Sequence, residues 1–319
     1  MATYNGANYI GEQLQSLASQ DYSIAELVIS DDCSTDSTVA ICRDFSRKVN
    51  FQVTILDNTE RIGYSKNFFR GLASCHKGDL IMFCDQDDSW KSQKVAVLVN
   101  WFQQNPKVLL AIHDVEFCDS RLVSVGYTKL QRIRLLSNPY FTYVTGMATA
   151  MRRELLDLAI PLPDNPNFSY DSWVHRLAIA LDVKTVIPNV LALYRRHEKN
   201  VTGGNSLNAA TKNVRSRYAR RKFQSSPQLS LMTQLEIWAN VRERLLERYN
   251  IENPNRSLGV KRASKFQRNA LWRLGVREKS LLVRVPLVLL GIIVGRYRQF
   301  SGISSAAKDI MQQNTRNPK

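Results

Sequence analysis

A chain of 319 residues with 44% apolar side chains has ample core for one large domain and a smaller one. Its net charge of +16 is local: residues 1–204 sum to −1, whereas residues 205–319 hold 23 Lys and Arg against 6 Asp and Glu. The N-terminus lacks the basic and apolar regions of a signal peptide, and the five cysteines show no C-x-x-C or zinc spacing. Reduced thiols in a cytosolic protein are therefore expected.

Taken in chain order, Tyr9–Ser19 reads as a helix with Ile10, Leu14, Leu17 and Ala18 on one face. Glu26–Ser30 is a short buried strand that runs into the capping-rich Asp31-Asp32-Cys33-Ser34-Thr35-Asp36. A helix over Ser37–Lys48, a strand over Phe51–Leu56 and a helix over Ser65–Cys75 follow. The apolar run Leu80–Cys84 is the next strand. Helix is expected over Ser92–Gln104, strand over Val108–Phe117, and a loop-like aromatic cover over residues 126–145. Helices over Glu154–Ile160 and Asp171–Leu181 then precede strands over Val183–Ile187 and Val190–Tyr194. The repeated strand–helix alternation predicts an α/β fold: a mostly parallel, Rossmann-like sheet with helices on both faces. After Gly203-Gly204 the pattern changes to long basic helices, so the expected domains are residues 1–204 and 205–319.

The C-terminal region contains the apolar run Val285–Val294, ten residues long, and extending it to Leu281 still falls short of the ~20 residues a spanning helix needs. Cations flank it: Arg273, Arg277, Lys279, Arg284, Arg296 and Arg298. An interfacial segment on an anionic leaflet is one reading, and a buried helix is the other. No recognised nucleic-acid module is present, because aromatics are not interleaved with the basic residues.

The chemistry concentrates at Asp85-Gln86-Asp87-Asp88, at the carboxyl end of a strand, where open α/β sheets bind ligands. Asp85 and Asp87 are two apart, so a turn can aim both at one hard cation such as Mg²⁺ or Mn²⁺, shared with a diphosphate. Alone, such a pair is more often a solvated acidic turn. Its neighbours change that balance: Ala2-Thr3-Tyr4-Asn5-Gly6, Ser30–Asp36, Asn58–Gly71 and Asp85–Trp90 together resemble glycosyltransferase family 2, with the GT-A fold. The D-Q-D-D-x-W form and Tyr194–Gly203 are similar to its bacterial rhamnosyltransferase branch.

The resemblance implies an inverting, metal-dependent transferase that uses a nucleotide-diphospho-sugar such as dTDP-rhamnose and a saccharide or lipid-linked acceptor. It would work at the cytoplasmic face of a membrane, with no nucleic-acid partner. By the resemblance, Tyr4, Asn5, Asp31, Arg61 and Asn67 face the nucleotide, with Asp32 a neighbour. Asp85 reaches the ribose or the metal, Asp87 is the direct metal ligand, and His197 completes the metal site or meets the diphosphate. Gly146 lies beside the donor sugar, and Arg195 or Arg196 holds the diphosphate. Asp171 is the general base, with a helix N-cap as the structural alternative. Asp36 reads as a cap, Asp88 as structural and Trp90 as core. Lys94 assists the site or lies on the surface, and His113-Asp114 lines the pocket.

One departure stands out. Family members begin with an apolar strand before the Tyr-Asn loop, and here Met1 stands where that strand should be ending. A sheet short of one strand, with unpaired backbone and an apolar groove, is expected. Two other readings follow: a nucleotide-sugar-binding protein without catalysis, and a membrane or polyanion scaffold built on the basic third.

Overall fold

The computed structural model describes residues 1–135, 137–163, 169–198, 200, 227–249 and 254–311. They fall into two compact units, one drawn from the described residues of 1–129, 144–178 and 183–207, the other from those of 130–143, 179–182 and 208–319. The expected boundary near residue 204 lies outside the described residues.

In the first unit, β1 (Ala2–Thr3), β2 (Glu26–Asp31) and β3 (Gln52–Asp57) form a parallel sheet in the order β1–β2–β3. Helices α1 (Ile10–Ala18), α2 (Thr38–Ser46) and α3 (Tyr64–Ala73) make the crossovers. The apolar face of α1, with Ile10, Leu14 and Leu17, is buried as its periodicity predicts. A second sheet holds β4 (Leu80–Met82), β5 (Ser89–Trp90), β6 (Leu110–Cys118), β7 (Ser124–Thr128), β8 (Thr149–Arg152) and β9 (Lys184–Arg195). Its order is β4–β8–β6–β9–β5, with β7 against β6. Only β6 and β9 run parallel there; the other pairs are antiparallel. The fold is thus mixed α/β, parallel through its N-terminal sheet.

Strand β6 is central, and all but one of its residues are buried, His113 and Asp114 among them. Helix α4 (Lys94–Gln104) packs Leu98 and Phe102 on Ala111, Ala150, Ile187 and Leu191. Two expected strands prove to be one. Strand β9 runs through Pro188 because the register slips between His113↔Ile187 and Asp114↔Val190, and that irregularity houses the proline. The expected cover over 126–145 is also more regular than predicted: β7 pairs with β6, and α5 (Lys129–Arg134) and α6 (Pro139–Thr142) follow.

Strand β1 has two residues. Ala2 and Thr3 pair with Ser30 and Asp31, and the Met1 ammonium donates to the Val28 carbonyl at 2.7 Å. Ala2 also bridges Asp85 in parallel, so β1 touches both sheets. Beyond Met1 a cavity of about 710 Å³ lies between β2 and β4, lined by Leu27, Val28, Phe68, Ile81, Phe83 and Phe102.

Helix α7 (Arg153–Ala159) and α8 (Tyr170–Leu181) carry the chain between β8 and β9. The second unit contains α9 (Pro227–Arg248), α10 (Pro254–Arg277), α11 (Leu281–Ile293) and α12 (Ile303–Met311). Leu231, Ala270 and Phe300 form one core cluster there, and Val276, Val288, Tyr297 and Ala306 another. Fully buried Asp309 accepts from Arg273, Arg277 and the Tyr297 hydroxyl, so two guanidinium groups share one carboxylate.

Candidate functional site

The acidic turn after β4 is assembled from both ends of the first unit. His197 Nε2 lies 2.8 Å from Asp87 Oδ2, and Asn200 Nδ2 donates to the same oxygen at 3.0 Å. The Tyr9 ring stacks on the His197 ring at 4.4 Å. Asn200 Oδ1 accepts from the His197 backbone N–H at 2.6 Å, so the residue three positions on holds the histidine in place. Sequence reasoning missed Tyr9 and Asn200; the H-x-x-N spacing was the available signal for Asn200.

Arg195 fixes the turn from below and is buried. Its guanidinium donates to the carbonyls of Asp87 (2.7 Å) and Ser120 (2.6 Å) and to the Glu12 carboxylate, and its backbone N–H donates to Asp88 Oδ1 at 2.9 Å. The expectation that Arg195 grips a diphosphate is therefore corrected: its planar fork is spent on protein oxygens. Arg196 is also buried and donates to the Tyr194 hydroxyl at 3.1 Å. Asp88 is fully buried and anchors Arg195; burial and the charges of Asp87 and Asp85 push its carboxyl well above the usual range.

Asp85 carries the most informative electrostatics. Burial, then the charges of Asp87 and Asp171, raise its carboxyl to about 7. The charges of Asp87 and Asp171 thus both reach the buried Asp85. Lys129 partly offsets the repulsion. Lys94 is not the surface residue its helix position allowed. It is fully buried, its ammonium donates to the Met147 carbonyl at 2.8 Å, and it lies 3.4 Å from the centre of the Trp90 ring. Burial brings its pKa down to about 7, with Cys84, Asp88 and Asp85 opposing the fall. His113 is buried next to this lysine and held neutral by burial.

Asp171 stands in the first turn of α8 beside Tyr170. Its Oδ1 accepts the Ser172 N–H at 2.7 Å. The N-cap role belongs to Ser169: its hydroxyl accepts from the Ser172 N–H at 3.3 Å and its carbonyl from the Trp173 N–H at 3.0 Å. Tyr170 stacks on Phe68 at 3.8 Å and meets Phe83 edge-on. Gly146 is required by that ring, since a Cβ there would lie 1.7 Å from the Tyr170 oxygen.

The expected nucleotide residues cluster after β1 and β2. Tyr4 is tied to Gln86 through both its backbone N–H (2.9 Å) and carbonyl (3.0 Å), and the exposed Arg61 guanidinium sits 3.9 Å over the Tyr4 ring. Asn5 takes a left-handed φ of 46°, and its Oδ1 accepts from the Thr35 N–H at 2.8 Å. Asp31 is buried and accepts from Thr3, the Ser34 N–H and the Ser34 hydroxyl at 2.6–2.7 Å. Asp32 accepts from Asn58, Ile62 and Gly63 and so shapes the Arg61 loop. Asn67 is buried and bonded to Ser30. Asp36 accepts from the Thr38 N–H at the head of α2, one residue before the N-cap Ser37. Of the nucleotide set, Tyr4 and Arg61 present a surface, while Asp31 and Asn67 build the loops beneath.

Among the described residues no three His, Cys, Asp or Glu side chains converge on one point. A catalytic cation does not need such a cage, because Mg²⁺ is commonly held by one or two protein ligands plus substrate phosphates and water. The 2.8 Å contact between Asp87 Oδ2 and His197 Nε2 is a hydrogen bond in this structure, and the same oxygen also accepts from Asn200.

Residues 1–158 match the family model "Glycosyl transferase family 2". The chain is 29% identical over 219 residues to the dTDP-rhamnosyl transferase RfbG of Shigella flexneri, covering 64% of this chain and 74% of that protein. It is 39% identical over 89 residues to the poly(ribitol-phosphate) beta-N-acetylglucosaminyltransferase TarS of Staphylococcus aureus, covering 27% of this chain and 15% of that protein. The crystal structure of S. aureus TarS 1–349 in complex with UDP-GlcNAc superposes with a TM-score of 0.56 at 19% identity, covering 97% of this chain and 86% of that one, so the two share a fold. Residues 1–158, which carry the acidic turn after β4, belong to glycosyl transferase family 2, and the chain has the GT-A fold.

Proposed function

We propose that this glycosyltransferase moves a sugar from a nucleoside-diphospho-sugar to an acceptor hydroxyl with inversion at the anomeric carbon. The observation that carries the reading is the acidic turn after β4, where Asp87 is hydrogen-bonded to His197 at 2.8 Å and the buried Asp85 feels the charges of Asp87 and Asp171. Asp87 and His197 would hold a divalent cation, Mg²⁺ or Mn²⁺, which would supply positive charge against the charge growing on the departing diphosphate. Tyr4, with Arg61 over its ring, offers the nucleotide base an aromatic platform at the same mouth. Asp85 takes a ribose hydroxyl or shares the cation.

Asp171 acts as general base. Its Oδ1 is occupied by the Ser172 N–H, which leaves Oδ2 to accept the proton of the acceptor hydroxyl. The acceptor oxygen then bonds to the anomeric carbon as the bond to the diphosphate oxygen breaks, and the pair of electrons leaves with the nucleoside diphosphate. Gly146 keeps Tyr170, and with it Asp171, at the correct depth.

The donor we favour is dTDP-rhamnose, on the strength of the RfbG similarity, and the acceptor a saccharide or lipid-linked saccharide at the cytoplasmic face of an anionic membrane. A panel of nucleotide sugars, assayed for nucleoside diphosphate release with and without Mn²⁺, tests the reading. Turnover with dTDP-rhamnose above the other donors supports it; equal or greater turnover with UDP-GlcNAc removes the rhamnosyl assignment and keeps the transferase.

A further inference from the structure

Helix α11 is apolar on every side. Its sequence, Leu-Leu-Val-Arg-Val-Pro-Leu-Val-Leu-Leu-Gly-Ile-Ile, contains one charged residue, Arg284, and that residue is buried. The inner stripe of Arg284, Val288 and Gly291 accounts for its packing. Val288 joins the cluster of Val276, Tyr297 and Ala306. A Cβ at Gly291 would lie 2.3 Å from Trp272, so the glycine permits close approach. The Arg284 guanidinium donates to the carbonyls of Arg277 and Lys279 and so ties the head of α11 to the end of α10.

The outer face has no such explanation. Leu282 is 89% exposed and Ile293 79%, and Leu281, Val283, Leu289, Leu290 and Ile292 are each more than a third exposed. Leu282, Pro286, Leu289 and Ile293 recur at helical spacing, so the solvent side of the helix presents a continuous apolar strip without a polar side chain. A strip of this kind marks a surface that something else covers.

We infer that the outer face of α11 is a docking surface that lies flat in the interface of an anionic lipid bilayer. Two observations choose lipid over a second copy of the chain. The charge is predominantly positive: Lys279 and Arg298 are exposed at the two ends of the strip, with Glu278 beside Lys279 the one exposed acidic neighbour and no acidic residue from Lys279 to Lys308. A bilayer with anionic headgroups complements those cations, whereas an identical partner would bring like charges together. The length also fits. Thirteen residues make about 20 Å of helix, short of the ~30 Å hydrocarbon core. Gly295, at a left-handed φ of 74°, ends the helix by turning the chain back, with the Arg296 N–H on the Gly291 carbonyl at 2.9 Å. No helix among the described residues is long and apolar enough to cross a membrane. This inference names the contact element of the membrane partner proposed above, and it rests on none of the catalytic residues.

The test is co-sedimentation of the full chain with vesicles of phosphatidylcholine alone and of phosphatidylcholine with phosphatidylglycerol. The wild type is expected to bind the anionic vesicles and to lose at least tenfold in partition on the neutral ones. Leu282→Glu/Ile293→Glu is expected to lose at least a hundredfold on anionic vesicles, because each change removes one apolar side chain from the lipid contact and adds a charge. Its melting temperature and its nucleoside diphosphate release from soluble donor should match the wild type, since both side chains are exposed; Leu282→Ser/Ile293→Ser repeats the loss without added charge. Undiminished vesicle binding in both variants overturns the inference. So does sedimentation velocity showing a wild-type dimer that the variants disperse, with no vesicle binding, which assigns the face to a second copy. Failure of donor turnover in the wild type leaves the vesicle result unaffected and bears on the catalytic reading alone.

Discussion

Gly146→Ala probes the site through packing, and its cost can be worked from coordinates. The added Cβ would stand 1.7 Å from Tyr170 Oη and 2.6 Å from Cζ, against a normal contact near 3.5 Å. Tyr170 cannot withdraw, because Phe68 stacks on one face at 3.8 Å and Phe83 meets it edge-on. Overpacking a filled core costs about 1–3 kcal/mol, and at about 2–4 °C per kcal/mol for a domain of this size the melting temperature falls by roughly 2–12 °C. Because Tyr170 adjoins Asp171, turnover falls in the folded variant as well. Tyr170→Leu removes the atoms that clash. The double variant should therefore be more stable than the sum of the two single losses by about 1–3 kcal/mol, read from urea unfolding. Additive losses within about 0.5 kcal/mol would refute the steric argument.

Other consequences are equally direct. Lys94 has a folded pKa of about 7 against 10.5 unfolded, so the unfolded chain binds more protons between those values and stability rises with pH across that window. Lys94→Met should flatten that rise in urea melts between pH 6.5 and 9.5; an identical slope in both proteins contradicts the buried, partly neutral lysine. Asp309→Asn leaves Arg273 and Arg277 buried without their shared carboxylate, and a loss of about 3–5 kcal/mol is expected from thermal unfolding. Five apolar β-branched residues added ahead of Met1 should enter the 710 Å³ cavity between β2 and β4. The extended chain should melt higher and bind less hydrophobic dye than one extended by Gly and Ser; equal values would show that the groove does not accept a strand.

Much of the first unit was legible because its signals are local. The apolar runs at Glu26–Ser30 and Leu80–Cys84 and the α1 periodicity need no partner to be read, and the acidic turn announces itself by position after a strand. What escaped was set by distant contacts. Arg195 reads as a ligand-binding cation until the carbonyls of Asp87 and Ser120 and the Glu12 carboxylate claim its fork. Lys94 reads as a solvated helix residue until Trp90 and Met147 close over it. Pro188 divided one strand into two because a proline normally ends a strand, and only the slipped register against β6 shows how this one is housed. Residues 126–145 looked irregular because β7 takes its order from β6 rather than from its own alternation.

Asp87 is the residue on which the proposed transfer depends most directly. Nucleoside diphosphate release from the preferred donor should require Mn²⁺ or Mg²⁺, stop with EDTA and return with added metal. Asp87→Asn keeps the Asn200 and His197 neighbours but removes the charge, and at least a hundredfold loss of turnover is predicted with a melting temperature near the wild type. Wild-type turnover in Asp87→Asn, or full activity in EDTA, would contradict the assignment of this turn as the diphosphate–metal station.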